Sequence, residues 1–98
     1  MPKFSASQVE AIRKAAEQGD APAQRRLGAC YANGEGVTKD NTEAVRWYQK
    51  AAEQRDVFAQ SMLGTHFDKA IGVRQDYTVA AQWYFKAAEQ GDAMSQFM

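Results

Sequence analysis

The sequence predicts an all-α protein, an α/α superhelix (solenoid) of stacked antiparallel helix pairs. Two observations lead there. The stretch Ala15-Ala16-Glu17-Gln18-Gly19-Asp20-Ala21 returns as Ala51–Val57 and again as Ala87–Ala93, with a constant period of 36 residues. Between the copies the apolar residues fall at helical spacing. Ala44, Trp47, Tyr48, Ala51 and Ala52 follow i, i+3, i+4, i+7, i+8, and Ala80, Trp83, Tyr84, Ala87 and Ala88 repeat them. A fixed period of this length marks units whose apolar faces are buried only by stacking on a neighbour.

The first helix starts at Ser7, which has capping-box spacing to Glu10. Val9, Ile12, Ala15 and Ala16 form its apolar stripe, and Glu10 with Lys14 and Arg13 with Glu17 add i,i+4 pairs. Gly19 closes it in the left-handed region. Asp20 then caps a second helix with Pro22 in its first turn, and Ala23, Leu27 and Tyr31 share one face. Gly28 in the helix interior costs ~1 kcal/mol relative to alanine, which predicts close approach of a neighbouring helix or its aromatic ring. Asn33-Gly34-Glu35-Gly36 breaks the pattern, Val37 tucks inward, and Asp40 with Glu43 opens the next helix.

The second copy runs in register: Asp56 caps, Ala59, Leu63 and Phe67 repeat the first stripe, Gly64 repeats Gly28, and Asp76 repeats Asp40. Asp92 is expected to open a third copy, which stops at Met98. One domain results: a leading helix over 7–18, repeat one over 19–54, repeat two over 55–90 and a truncated third repeat over 91–98.

The 12 basic and 12 acidic residues cancel and are interspersed, so no long-range field draws in nucleic acid or an anionic membrane. No run approaches the ~18 apolar residues of a membrane span. The single cysteine, Cys30, excludes an internal disulfide, and the N-terminus shows no apolar signal core. A cytoplasmic protein is expected.

The pattern Ala23-Gln24, Leu27-Gly28, Tyr31, Gly34, Gly36-Val37, Asp40, Ala44, Trp47-Tyr48 and Lys50-Ala51-Ala52 resembles that of the Sel-one-like repeat family, relatives of the tetratricopeptide repeats. The second copy matches at Ala59-Gln60, Leu63-Gly64, Phe67, Gly72-Val73, Asp76, Ala80, Trp83-Tyr84 and Lys86-Ala87-Ala88, so the resemblance covers about 15–98. A tetratricopeptide repeat, with its period of about 34 residues, is the structural alternative. The resemblance implies a superhelix whose concave side is lined by the first helix of each unit, and an adaptor with no catalytic activity. Some family members are extracellular with a disulfide in each unit, a feature this chain lacks. Three positions depart from the pattern: Arg55 stands where Gly19 and Gly91 stand, Ala70 replaces Gly34, and Ile71 replaces Glu35. Arg55 must take or avoid the left-handed region, and Ala70 either extends the preceding helix or turns its loop differently.

No constellation of catalytic groups is present. Gly34-Glu35-Gly36 has no preceding strand and no P-loop lysine, so it reads as a repeat loop. His66, the only histidine, stands at the position of Cys30 and has neither metal-ligand nor triad partners by spacing. The Trp47-Tyr48 and Trp83-Tyr84 pairs read as core, and the five helix-preceding aspartates as caps. No cofactor or metal is expected.

What remains is the exposed side of each first helix: Arg25, Arg26, Ala29 and Asn33, then Ser61, Met62, Thr65 and Lys69. On the concave face these would form a mildly basic surface for an acidic or carboxylate-ended peptide. The expected function is a protein–protein interaction scaffold; the alternative is a regulatory or inhibitory subunit that binds an enzyme or small ligand in the groove. Trp83, Phe85, Met94, Phe97 and Met98 form an apolar end, expected to drive homo-oligomerisation or to be covered by the next unit of a longer array.

Overall fold

In the computed structural model, residues 4–95 are described, with side chains through residue 91. Five α-helices follow one another: α1 Ala6–Glu17, α2 Ala21–Asn33, α3 Asn41–Glu53, α4 Val57–Lys69 and α5 Tyr77–Ser95. No strand occurs among the described residues, and the main packing joins consecutive helices. The helix pairs α2–α3 and α4–α5 correspond to the two sequence repeats, with α1 leading.

The helix starts show how local sequence sets the elements. Asp20, Asp40, Asp56 and Asp76 each accept the backbone N–H three residues on, at 2.9–3.1 Å. The first helix differs from expectation: its cap is Ser5, whose hydroxyl accepts Gln8 N–H while Gln8 Oε1 accepts Ser5 N–H at 2.8 Å. Ser5 and Gln8 also have capping-box spacing, and using them adds residues to the helix, leaving Ser7 exposed in its first turn. Of the expected pairs on α1, Arg13 meets Glu10 at 3.5 Å instead of Glu17.

Arg55 takes the left-handed region, φ +69°, and closes α3 as Gly19 closes α1. Asp56 N–H bonds Ala51 O as Asp20 N–H bonds Ala15 O, at 3.1 and 3.2 Å. Ala70, at φ +57°, likewise replaces Gly34 as the C-cap residue without extending α4. Each non-glycine carries a cost of about 1–2 kcal/mol, and the unchanged hydrogen bonds around it hold the conformation in place.

Two clusters make the core, and α3 serves both. Val9, Ala16, Ala23, Leu27 and Cys30 enclose Trp47. Val45, Tyr48, Ala51 and Ala52 meet Ala59 and Leu63 of α4. Val37 packs on the first cluster from its loop, as expected. Amides join the layers: Gln24 donates to Ala16 O, and Gln54 donates both to Gln24 Oε1 and to Gly19 O. One repeat on, Gln60 donates to Ala52 O and Gln90 to Gln60 Oε1.

The end of the chain departs from the repeat. α5 continues through Gln90, Gly91 and Asp92 with no turn, so Asp92 does not cap a new helix. In the earlier copies that turn is held by the helix packed beyond it. Among the described residues no helix packs on the far side of α5, and its extension adds one backbone hydrogen bond per residue fixed. For the same reason Trp83 is half-buried and Tyr84 is 40% exposed, whereas Trp47 and Tyr48 are core at 7% and 3%. Reading the second aromatic pair as core is thus corrected. Met94 lies in α5 with its side chain outside the described residues, and Phe97 and Met98 lie outside them altogether.

A Cβ at Gly28 would sit 2.8 Å from the Tyr48 ring, and one at Gly64 2.7 Å from that of Tyr84. Tyr48 is enclosed, whereas Tyr84 is 40% exposed and can shift outward at the cost of its hydroxyl contact with Thr65. Gly28→Ala is therefore expected to cost about 1–2 kcal/mol, because overpacking exceeds the gain in helix propensity. Gly64→Ala is expected to be near neutral. Urea unfolding of both variants checks this; equal losses would contradict it.

Candidate protein-binding surface

On a helix that packs on both flanks, one stripe must stay outward. On α4 it holds Phe58, Met62, Thr65 and Lys69, with Ser61 at its edge; on α2 the matching positions are Pro22, Arg26, Ala29, Asn33 and Arg25. Arg26, Asn33, Met62 and Lys69 are exposed, and Ala29, Ser61 and Thr65 are half-buried. Thr65 donates to Ser61 O at 3.2 Å, which leaves its oxygen to accept the Tyr84 hydroxyl at 2.9 Å.

The two arginines separate. Arg26 borders a hollow of about 410 Å³ with Phe4, Gln8, Ala11 and Ile12. Arg25 leans the other way, with Nε 3.1 Å from Asp56 Oδ2 and its guanidinium 5.3 Å from the Phe58 ring centre. Phe58 is 65% exposed. Sequence reasoning passed over Phe58 because its counterpart is Pro22; an aromatic one turn before Met62, on the side opposite Leu63, was the available signal.

Two further hollows repeat along the chain. One of about 560 Å³ is lined by Ala16, Gly19, Gln24, Trp47 and Lys50 among others; one of about 650 Å³ is lined by Ala52, Arg55, Gln60, Trp83 and Lys86 at positions one period later. Lys50 and Lys86 place their ammonium groups 5.6 and 4.7 Å from the tryptophan ring centres. Their recurrence identifies these hollows as seams of the stacking. Trp47 Nε1 is buried there without a hydrogen-bond partner among the described residues.

His66 and Cys30 are buried, as small core groups. His66 Nδ1 lies 2.8 Å from Ile71 O; a carbonyl only accepts, so the proton sits on Nδ1. The imidazole holds the α4 loop and tilts against Tyr48 at 5.5 Å. Burial pushes the Tyr48 hydroxyl up to about 12, with nearby Cys30 adding and Arg25 opposing. Among the described residues no group of His, Cys, Asp or Glu could hold a metal ion, and no helix is long and apolar enough to cross a membrane.

Stacked helix pairs with a matched core and a free outward stripe define an α/α repeat protein. The Sel1 repeat family model matches residues 12–20, 21–56 and 57–92, and the chain belongs to that family. Three solved structures are similar to it. A Sel1 repeat protein from Oxalobacter formigenes is 45% identical at TM-score 0.86, over 89% of this chain and 36% of that one. The protective antigen c5321 of uropathogenic Escherichia coli, with an SLR fold, is 41% identical at TM-score 0.88, over 95% of this chain and 20% of that one. Helicobacter pylori cysteine rich protein B is 29% identical at TM-score 0.83, over 87% of this chain and 64% of that one. The chain thus spans less than two thirds of each. No curated protein matches it. Sel1 repeat proteins are generally protein-interaction scaffolds and typically not enzymes.

The raised Tyr48 value sets a pH dependence. The unfolded chain releases this proton near pH 10 and the folded chain near 12, so the folded state binds more protons between them and stability falls as pH rises through that window. Tyr48→Phe removes this contribution. Urea unfolding at pH 9 and 11.5 should show a smaller alkaline loss for the variant than for the parent; equal losses would contradict the assignment.

Proposed function

We propose that this chain is a protein–protein interaction scaffold that takes a peptide or protein partner on the outward stripe of α2 and α4, its concave face. An internal comparison carries the reading. Four of the five buried positions of α2, Ala23, Gln24, Leu27 and Gly28, are repeated unchanged in α4 as Ala59, Gln60, Leu63 and Gly64, and the fifth is Cys30 in one copy and His66 in the other. All five outward positions differ: Pro22 and Phe58, Arg25 and Ser61, Arg26 and Met62, Ala29 and Thr65, Asn33 and Lys69. Stacking fixes the first set and leaves the second free to follow a partner. A photoreactive residue placed at Asn33 or Lys69 should crosslink to a host protein, and one at Glu53, exposed at the end of α3, should not. Crosslinks from Glu53 alone would overturn the choice of face.

Self-association through α5 is a second reading, favoured by its exposed aromatics. Tyr77 and Phe85 are each 65% exposed and, with Thr78, Ala81 and Gln82, line an apolar hollow of about 520 Å³, while Trp83 faces the separate hollow beside α3 and α4. Sedimentation velocity at micromolar concentration is expected to show a dimer that Phe85→Glu dissociates. A parent chain that sediments as a monomer would sink this reading.

A further inference from the structure

The stripe on α4 contains one spot that is apolar, rigid and bordered by a fixed guanidinium. Phe58 is 65% exposed and Met62, one turn on, is 37% exposed, so together they offer an uncovered apolar floor. The Arg25 guanidinium stacks at 5.3 Å from the Phe58 ring centre. Arg25 is itself fixed from α4: Asp56 uses Oδ1 to cap Ala59 N–H and Oδ2 to hold Arg25 Nε. The Asp56 side chain is 9% exposed, so its charge is spent inside this contact. The remaining guanidinium N–H groups of Arg25 keep their donor capacity.

At the outward positions the charged side chains are Arg25 beside Phe58, Arg26 on the α1 side of α2, and Lys69 three turns from Phe58. At 1.5 Å per residue, Phe58 and Lys69 are separated by about 16 Å along the helix. An extended peptide covers that distance in about five residues.

We propose that Phe58 and Met62, bordered by Arg25, form the anchor point for an acidic peptide segment. Its apolar side chain rests on the open face of Phe58. A carboxylate next to that side chain meets the free N–H groups of Arg25, and a second, about five residues on, meets Lys69. This rests on the reading of the outward stripe as the partner face, and adds the chemical class of the partner. A fixed arginine–aromatic pair suits the purpose, because little side-chain freedom is left to lose on binding and such residues dominate measured interface energies.

The test uses the whole chain and a library of random twelve-residue peptides displayed on phage. Selected peptides should carry an apolar residue beside Asp or Glu. Synthesised with a fluorophore and followed by anisotropy, they should bind at least about tenfold more weakly to Phe58→Ala and to Lys69→Glu. Lys14→Glu, an exposed charge change on α1, should leave binding unaltered. Circular dichroism melts of all three variants confirm that they fold; two exposed anchor positions three turns apart keep the outcome decisive if one variant fails. Selected peptides without acidic enrichment, affinity that survives both anchor substitutions, or no binders at all would overturn the proposal. Host-protein crosslinks from Asn33 together with such a result would remove this anchor and leave the scaffold reading standing, whereas crosslinks confined to Glu53 would remove both.

Discussion

The Tyr48 ring lying against the backbone of Gly28 is the contact on which the repeat depends. It sets how closely α3 approaches α2, and that distance brings Trp47 into the first core cluster and Val45 into the second. With any side chain at position 28 the ring would have to withdraw, taking the rest of the stripe with it. The amide steps from Gln54 to Gln24 and from Gln90 to Gln60 then fix the lateral register between layers. Burial supplies the attraction; the glycine and the amides decide the geometry.

How far the sequence could be read follows from where each interaction is encoded. The stripes, four of the five aspartate caps and the need for glycine beside an aromatic ring are local or periodic and were legible; the fifth, Asp92, lies inside α5. So was the inward turn of Val37. The cap of α1 was misplaced because Ser5 and Ser7 both have an acceptor-bearing side chain three residues later, and spacing alone does not rank them. Arg55 and Ala70 posed a choice that spacing leaves open; hydrogen bonds to the preceding helix decide it in favour of the left-handed conformation.

The candidate surface was less legible, for a different reason. The sequence placed Arg25 and Arg26 together as one basic patch. On a helix, neighbours in sequence point about 100° apart, and here one reaches Asp56 while the other borders the hollow beside α1. Phe58 escaped notice because outward positions follow no period: nothing in the first copy announces it. Likewise, the repeat predicts equal burial for Trp47–Tyr48 and Trp83–Tyr84, yet burial depends on what lies beyond the helix, which periodicity does not carry.

That separation between periodic and aperiodic positions connects the fold to its use. A solenoid spends its identical residues on stacking, so a change on the outward stripe, Arg25 and Thr65 apart, leaves the helix-to-helix contacts untouched. Asp56 shows where the two sets meet. One carboxylate oxygen performs the capping role that all copies share, and the other immobilises Arg25, which has no counterpart in the second copy, where Ser61 stands. A residue required for the scaffold thereby holds a feature particular to one unit. The rigidity of the repeat reaches the surface through that shared side chain, so the face most free to vary in sequence is still presented in a fixed geometry.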